Sequence, residues 1–423
     1  MCALCAAQLA LRSGEDAAAD AAAVEADGLA QSAPAGAEAA ALRLHAALLR
    51  ALSALRRGDT KSAGACAAQL PALLAASRGA AGYSWAASPA VAALVHCVSA
   101  SAERPWSEKQ GSAREHASAA LALTAAALAD LGIDVAGDSG DADVSFRAAA
   151  LARPLLVLRL AALETGARCS LLACELARAG REAVEAAALA QRFPAALGEA
   201  AGTARLLAGL YAHSCAEYGV AAAHFAAAEG ATAVPLAPLC RVQRAVSLLC
   251  ASAVGCEGAA LDALGPLARD APDAATQPGV AEAAGAAYAA SLAALRRGDV
   301  ADAKVRLGKA LKHAHGDLGS HELVAASLVA LGALVEASGD GSQARDMLTS
   351  AFTLAKAAGD AAAQAGALTL LARVHTGAGA TREEAEMTRY SARKRAVLAT
   401  ARAEAEADEP TRKKLLSTVD HDA

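Results

Sequence analysis

The chain has 423 residues, with 39 basic and 44 acidic side chains, and its net charge of −5 leaves no broad basic footprint for DNA or RNA. Apolar residues make up 55% of it, mostly Ala and Leu, while aromatics are 3% and isoleucine occurs once, at Ile133. Sheets draw on β-branched and aromatic side chains, whereas Ala and Leu are the best helix formers, so the composition excludes a β-rich fold and predicts an all-α one. Asparagine is absent, which removes N-glycosylation sites and any Cys-His-Asn catalytic arrangement.

The length exceeds a common single domain and points to several domains or one elongated array. A buried methylene contributes about 0.8 kcal/mol against about 1.5–3 kcal/mol for a whole buried Leu or Phe, so the Leu positions are expected to hold the core while Ala lets helices approach closely.

From the N-terminus, Met1 to Leu11 is apolar but has no Lys or Arg before Arg12, so it reads as part of a helix and not as a signal peptide. Cys2 and Cys5 have metal-ligand spacing without a second such pair, and all ten cysteines read as free thiols, those at Cys169, Cys174, Cys250 and Cys256 buried in helices. Leu55-Arg56-Arg57-Gly58-Asp59 matches Leu295-Arg296-Arg297-Gly298-Asp299, which predicts two equivalent helix-turn-helix junctions; Tyr218-Gly219 is a candidate third. Breaker-rich stretches at 28–36, 103–111, 132–145, 230–238 and 265–279 separate the helical runs. Uncharged stretches such as Ala283 to Leu295 and Leu323 to Val335 are 13 residues each, short of the ~20 that a bilayer span needs.

The repeat is clearest in the C-terminal half. Gly298 is followed by Ala303, Leu307 and Ala310, and Gly339 by Ala344, Leu348 and Ala351, the same offsets of five, nine and twelve. Gly ends one helix in a tight turn, and the positions after it share the face on which the partner helix packs. This is the second-helix pattern of a tetratricopeptide unit, with turns 41 and 40 residues apart at Gly298, Gly339 and Gly379, longer than the usual ~34. Val324, Leu328, Leu331 and Val335 form one apolar stripe, and Met347, Ala351, Leu354 and Ala358 another. Asp317 or Ser320 is placed to cap the first of these helices, with Glu322 in its opening turn. The predicted fold is therefore a tetratricopeptide-like superhelical array of antiparallel helix pairs. It divides into N-terminal repeats (1–131), middle repeats with loop insertions (132–280), C-terminal repeats (281–408) and a polar tail (409–423) that frays after Glu409-Pro410.

Chemical motifs fail in their context. Gly137-Asp138-Ser139-Gly140 looks like a protease nucleophile loop, but Asp141 follows and no β-barrel is present. His321-Glu322 would open a zinc-protease helix, yet the second ligand position holds Ala325; His313 and His315 stand two apart, off any common helix face. No phosphate loop or dinucleotide fingerprint occurs, and Gly308-Lys309 sits mid-helix, so neither cofactor nor metal is expected and no catalytic residue is assigned. The basic runs Arg393-Lys394-Arg395, with Arg389 and Tyr390 beside them, and Arg412-Lys413-Lys414 are candidate patches for an anionic partner or for nuclear import, against the commoner reading of a solvated helix face. Trp85 and Trp106 are candidate partner anchors, against the commoner reading of packed aromatics.

Several consecutive pieces carry a family resemblance: Leu295-Arg296-Arg297-Gly298-Asp299, Ser320-His321-Glu322-Leu323-Val324, Ala344-Arg345-Asp346-Met347-Leu348, Leu354-Ala355-Lys356, Glu383-Glu384-Ala385-Glu386-Met387 and Arg389-Tyr390-Ser391-Ala392-Arg393-Lys394-Arg395. Together with a block from Tyr83-Ser84-Trp85 through Pro89, Leu94-Val95-His96 and Arg104-Pro105 to Leu131-Gly132-Ile133, the chain resembles the small tetratricopeptide-repeat subunit of the cohesin loader over about half its length. It departs where that family tends to carry Asn and this chain has Ser320, and where Ala86-Ala87-Ser88 separates the Trp from the Pro.

The resemblance implies a nuclear, chromatin-associated protein, also found in the cytoplasm, that wraps around the extended N-terminal segment of a large HEAT-repeat partner. The pair would help load cohesin onto chromatin for sister-chromatid cohesion, with no direct nucleic-acid site and no membrane contact. Members of that family are usually longer at the N-terminus, which implies a truncated start here. The alternative is a tetratricopeptide adaptor of another complex; a carboxylate-clamp co-chaperone would resemble a family that uses Asn in its clamp, and this chain has none. An enzyme would need a convergent polar site, which these residues do not assemble.

Overall fold

The computed structural model describes residues 2–80, 82, 83, 85, 88–105, 107–231, 236–251, 255–268 and 279–416. Among them there is no strand. The helices, in chain order, are α1 (Cys2–Arg12), α2 (Asp16–Ser32), α3 (Ala37–Arg57), α4 (Thr60–Ala67), α5 (Leu70–Ala76), α6 (Pro89–Glu103), α7 (Gln110–Ala129), α8 (Phe146–Leu172), α9 (Leu176–Arg192), α10 (Pro194–Leu197) and α11 (Gly202–Ser214). There follow α12 (Tyr218–Ala231), α13 (Ala237–Cys250), α14 (Cys256–Leu264), α15 (Val280–Arg296), α16 (Val300–Lys312), α17 (His321–Ala337), α18 (Gly341–Ala358), α19 (Ala361–Gly377), α20 (Thr381–Ala407) and α21 (Glu409–Leu416). Successive helices pair, as in α2 with α3, α6 with α7, α11 with α12, α17 with α18 and α19 with α20, so the fold is a tetratricopeptide-like array of antiparallel helix pairs.

A two-residue device makes four of the sharp junctions. Gly58, Gly298, Gly339 and Gly359 lie in the left-handed region, at φ of +76°, +80°, +88° and +77°. Each is followed by an Asp whose N–H reaches back to a carbonyl of the finished helix and whose carboxylate caps the next one. At Gly298 the N–H of Asp299 donates to Ala294 O (3.0 Å), and Asp299 Oδ1 accepts from Asp302 N (3.0 Å). At Gly58, Asp59 does the same toward Ala54 O and Ser62 N, both at 2.9 Å. The glycine removes the Cβ penalty of the left-handed residue, and the carboxylate satisfies an orphan donor of the new helix. The two Leu-Arg-Arg-Gly-Asp segments thus form the same junction.

At two junctions a residue other than glycine takes the left-handed conformation. Cys174 (φ +60°) and Ala216 (φ +66°) hold the left-handed position between α8 and α9 and between α11 and α12. In the second, Gly219 is not the turn residue that the sequence suggested; it lies inside α12, and Ala216 closes the turn with Glu217 N donating to Ala212 O at 2.9 Å. Gly28 likewise breaks nothing, because α2 runs through it to Ser32.

The chain forms two compact units. The first comprises Met1–Pro105, Lys109–Gly166 and Leu189–Gly198. One of its cores joins Leu44 and Leu48 of α3, Leu70 of α5, and Val95 and Val98 of α6. The second comprises Trp106–Glu108, Ala167–Ala188 and Glu199–Ala423. Its C-terminal repeats share a core of Val335, Ala344, Leu348, Leu371 and Val374, and beside it one of Ala294, Ala303, Leu307 and Leu334.

Ala303, Leu307 and Ala310 of α16 and Ala344, Leu348 and Ala351 of α18 are all fully buried. The inner stripe of α17 differs from the one read in sequence: Val324 and Val335 are buried, but Leu328 is only half-buried, and the small residue Gly332 lies inside. A Cβ on Gly332 would stand 2.7 Å from Cδ2 of Leu348, so the bare Cα is what seats that leucine. Ser320 caps α17, accepting from Leu323 N at 3.4 Å, while the Asp317 side chain lies outside the described part. No helix among the described residues is long and apolar enough to cross a membrane.

Candidate functional site

Helices α18, α19 and α20 line a groove, α18 with a second stripe beside its core stripe and α19 with Leu368 and Leu371, which also belong to the core. Arg345, Thr349 and Phe352 recur at i, i+4, i+7 on α18; Leu368, Leu371 and His375 at i, i+3, i+7 on α19; and Met387, Tyr390 and Lys394, with Arg393, on α20. These residues line one groove of about 520 Å³. Its floor is apolar, from Phe352, Leu368, Leu371, Met387 and the Tyr390 ring. Its rim is basic or neutral-polar, from Arg345, Arg393, Lys394, Thr349 and His375, with no carboxylate. Such a groove suits a peptide that offers apolar anchors and acidic flanks.

Tyr390 is the pivot of the rim. The guanidinium carbons of Arg389 and Arg393 lie 5.4 and 5.9 Å from its ring centroid, within cation–π range. Both arginines are exposed, one turn of helix bringing them to the same half-buried ring. The fold therefore gathers three of the four residues singled out as possible partner contacts. The fourth, Trp85, belongs to the first unit, where it is half-buried against Ala41 and Ala80. Its ring meets His45 edge-on at 5.2 Å and Tyr83 at 6.4 Å. Burial lowers the pKa of His45, so the cluster packs around a neutral imidazole at pH 7. Trp106 lies outside the described residues.

Sequence reading noticed Arg345 and Met387 only as pieces of a resemblance and missed Phe352, Leu368, Leu371 and His375. The signal was available: a second helical period displaced around α18 from the Ala344–Leu348–Ala351 stripe. Elsewhere, Cys169 and Cys256 are buried as expected, but Cys250 is exposed at the end of α13 and Cys174 is only half-buried in its turn. Burial pushes the Cys97 thiol up to about 12 and that of Cys240 up to about 11, which makes both poor nucleophiles. Among the described residues, no group of three or more His, Cys, Asp or Glu is placed to hold a metal ion.

No family model matches the chain. It is 30% identical over 275 residues to sister chromatid cohesion protein SCC4 of Arabidopsis thaliana, an alignment covering 64% of this chain and 37% of SCC4. The chain is similar to a sister-chromatid cohesion protein. That likeness bears out the resemblance to the tetratricopeptide subunit of the cohesin loader, and the chain spans little more than a third of the length of SCC4. Among solved structures, a Rap protein complexed with competence and sporulation factor superimposes with a TM-score of 0.53 at 12% identity, covering 94% of this chain and 98% of that one. At that identity the likeness speaks for the helical-repeat fold alone.

Proposed function

We propose that this chain is a noncatalytic scaffold that binds the extended N-terminal segment of the large HEAT-repeat subunit of the cohesin loader. In that role it supports cohesin loading onto chromatin for sister-chromatid cohesion, and it resides in the nucleus on chromatin. The observation that carries the reading is the 30% identity to SCC4 over 275 residues. Two features support it. Stacked helix pairs within each unit offer faces on which an extended chain can lie. The groove on α18–α20, apolar below and basic at the rim, has room for apolar and acidic side chains of an extended segment. Cohesin and chromatin are then indirect partners.

The test is acute depletion of the protein in its own cells, followed by measurement of chromatin-bound cohesin. The reading expects that pool to fall and sister chromatids to separate early, with rescue by the wild-type chain. Unchanged cohesin on chromatin after complete depletion contradicts it.

A further inference from the structure

Two of the ten histidines meet across the pair of α6 and α7 in the first unit. Nδ1 of His96 stands 2.9 Å from Nδ1 of His116, and the ring centroids are 5.1 Å apart. That separation is close to the largest that such an Nδ1–Nδ1 contact allows, so the rings point nearly straight at one another. This is the line of an N–H···N hydrogen bond; two lone pairs converging on a metal ion at the same bite would bring the centroids closer.

One sequence pattern, used twice, builds the meeting. Ala93, His96 and Ala100 on α6 and Ala113, His116 and Ala120 on α7 share the spacing i, i+3, i+7, which sets each imidazole between two alanines of one helical face. All four alanines are fully buried. Their small side chains let the helices approach until the imidazoles touch, and both rings stay half-buried.

We infer that His96 and His116 form a proton-counting latch between α6 and α7, closed with no added proton or with one and opened by two. The inference goes beyond the scaffold role and uses no residue of the α18–α20 groove.

The chemistry follows from the shared bond. With both rings neutral, the Nδ1–H of one donates to the bare Nδ1 of the other, so the pair holds two opposite tautomers. A first added proton goes to the bare Nε2 of the donating ring and turns the link into a charge-assisted bond. A second has only the accepting Nδ1 to enter, which leaves two N–H groups head to head on two like charges. The rings then carry four protons in place of two, the bond is lost and they must separate.

The surroundings leave the pair to itself. Along the stretches packed on α6 and α7, the titratable side chains are His45 and Arg50 on α3, Cys66 on α4, and Arg159 and Glu164 on α8. The two helices themselves add Cys97, Glu103, Arg114 and Glu115, and α5 has none. Burial lowers the His96 pKa, and the charge that adds to this is that of His116. The second proton is therefore the costly one, and the two steps belong to the pair.

The test is nitrogen NMR on the full chain labelled at histidine, with hydrogen exchange on α6 and α7. At pH 8 one ring of the pair is expected as the Nδ1–H tautomer and the other as the Nε2–H tautomer, with scalar coupling between the two Nδ1 atoms. On acidification the pair is expected to take up its protons in two steps at least about one pH unit apart, a tenfold difference in proton affinity. Below the second step the coupling should vanish. Protection factors of α6 and α7 should then fall about tenfold per pH unit, the slope of one extra proton bound in the open form, ahead of those of α17 and α18. His116→Gln keeps a hydrogen-bonding side chain against His96 but leaves one titration, so His96 should titrate in a single step, higher than its wild-type one, and the acid-dependent loss of protection should disappear. Two rings in the same tautomer without coupling overturn the inference. So does a loss of protection that is equal in His116→Gln or even over the whole chain. Should His116→Gln fail to fold, the coupling and the two-step titration of the wild-type chain decide alone.

Discussion

Nε2 of His224 stands 2.6 Å from the main-chain oxygen of Leu415, so a buried imidazole donates to a helix carbonyl 191 positions further along the chain. Its Nδ1 is buried without a hydrogen-bond partner. Burial, reinforced by the positive charge of Arg205 and opposed by the bond to Leu415, lowers the His224 pKa below its ordinary 6.5. The unfolded chain therefore takes up the proton first as pH falls, and stability is lost below about pH 6.5 down to the folded value. His45, His96 and His213 shift in the same direction through burial, with His116 and Arg402 adding to the effect at His96 and His213. The melting temperature is expected to fall between about pH 7.5 and about pH 5.5, and His224→Gln, which keeps a donor toward Leu415, to reduce that dependence. A flat profile contradicts the assignment.

Gly209 is held open by an aromatic ring: a Cβ there would stand 2.5 Å from Cε1 of Phe225, which is fully buried. Gly209→Ala is expected to cost about 1–3 kcal/mol by overpacking, measured by denaturant melts. Adding Phe225→Leu should recover part of the loss, since the smaller side chain vacates the contact.

The turns predict opposite signs for one kind of change. Ala216 and Cys174 carry side chains at φ of +66° and +60°, so Ala216→Gly or Cys174→Gly should stabilise by about 0.5–1 kcal/mol. Gly298→Ala, at φ +80°, should destabilise by about 1–2 kcal/mol. Asp340, whose Oδ1 accepts from Gln343 N at 3.0 Å, is worth about 1 kcal/mol by Asp340→Ala.

Much of this architecture was legible because its causes are local. The Gly298 and Gly339 grammar needs only a left-handed residue and two buried small positions, all visible in sequence as fixed offsets. The α18–α20 groove was half legible: Tyr390 and Arg393 stood out as a basic, aromatic run, but Phe352 and His375 gain meaning only when three helices converge. The docking of α21 was not legible at all. Glu409-Pro410 reads as a helix stop, yet Pro near a helix start loses no bond, and Asp408 supplies the cap. Its contacts with Gly180, Glu217 and His224 come from far back in the chain, where no periodicity points forward. Ala216 was missed because the turn there lacks the expected glycine.

The groove makes its own prediction. Tyr390→Ala with Arg393→Glu removes the ring and reverses a rim charge without touching the core of Ala344 and Leu348. Affinity for the large-subunit segment is expected to drop about tenfold or more with an unchanged melting temperature, as for a partner-facing aromatic and its charge. An unchanged affinity would remove the groove from the interface.

The most direct measurement is co-purification of the full chain with the N-terminal segment of the cohesin loader's large subunit, followed by calorimetric titration. The account predicts a one-to-one complex that also enriches cohesin components from nuclear extract. A folded chain that neither binds the segment nor enriches cohesin would contradict it.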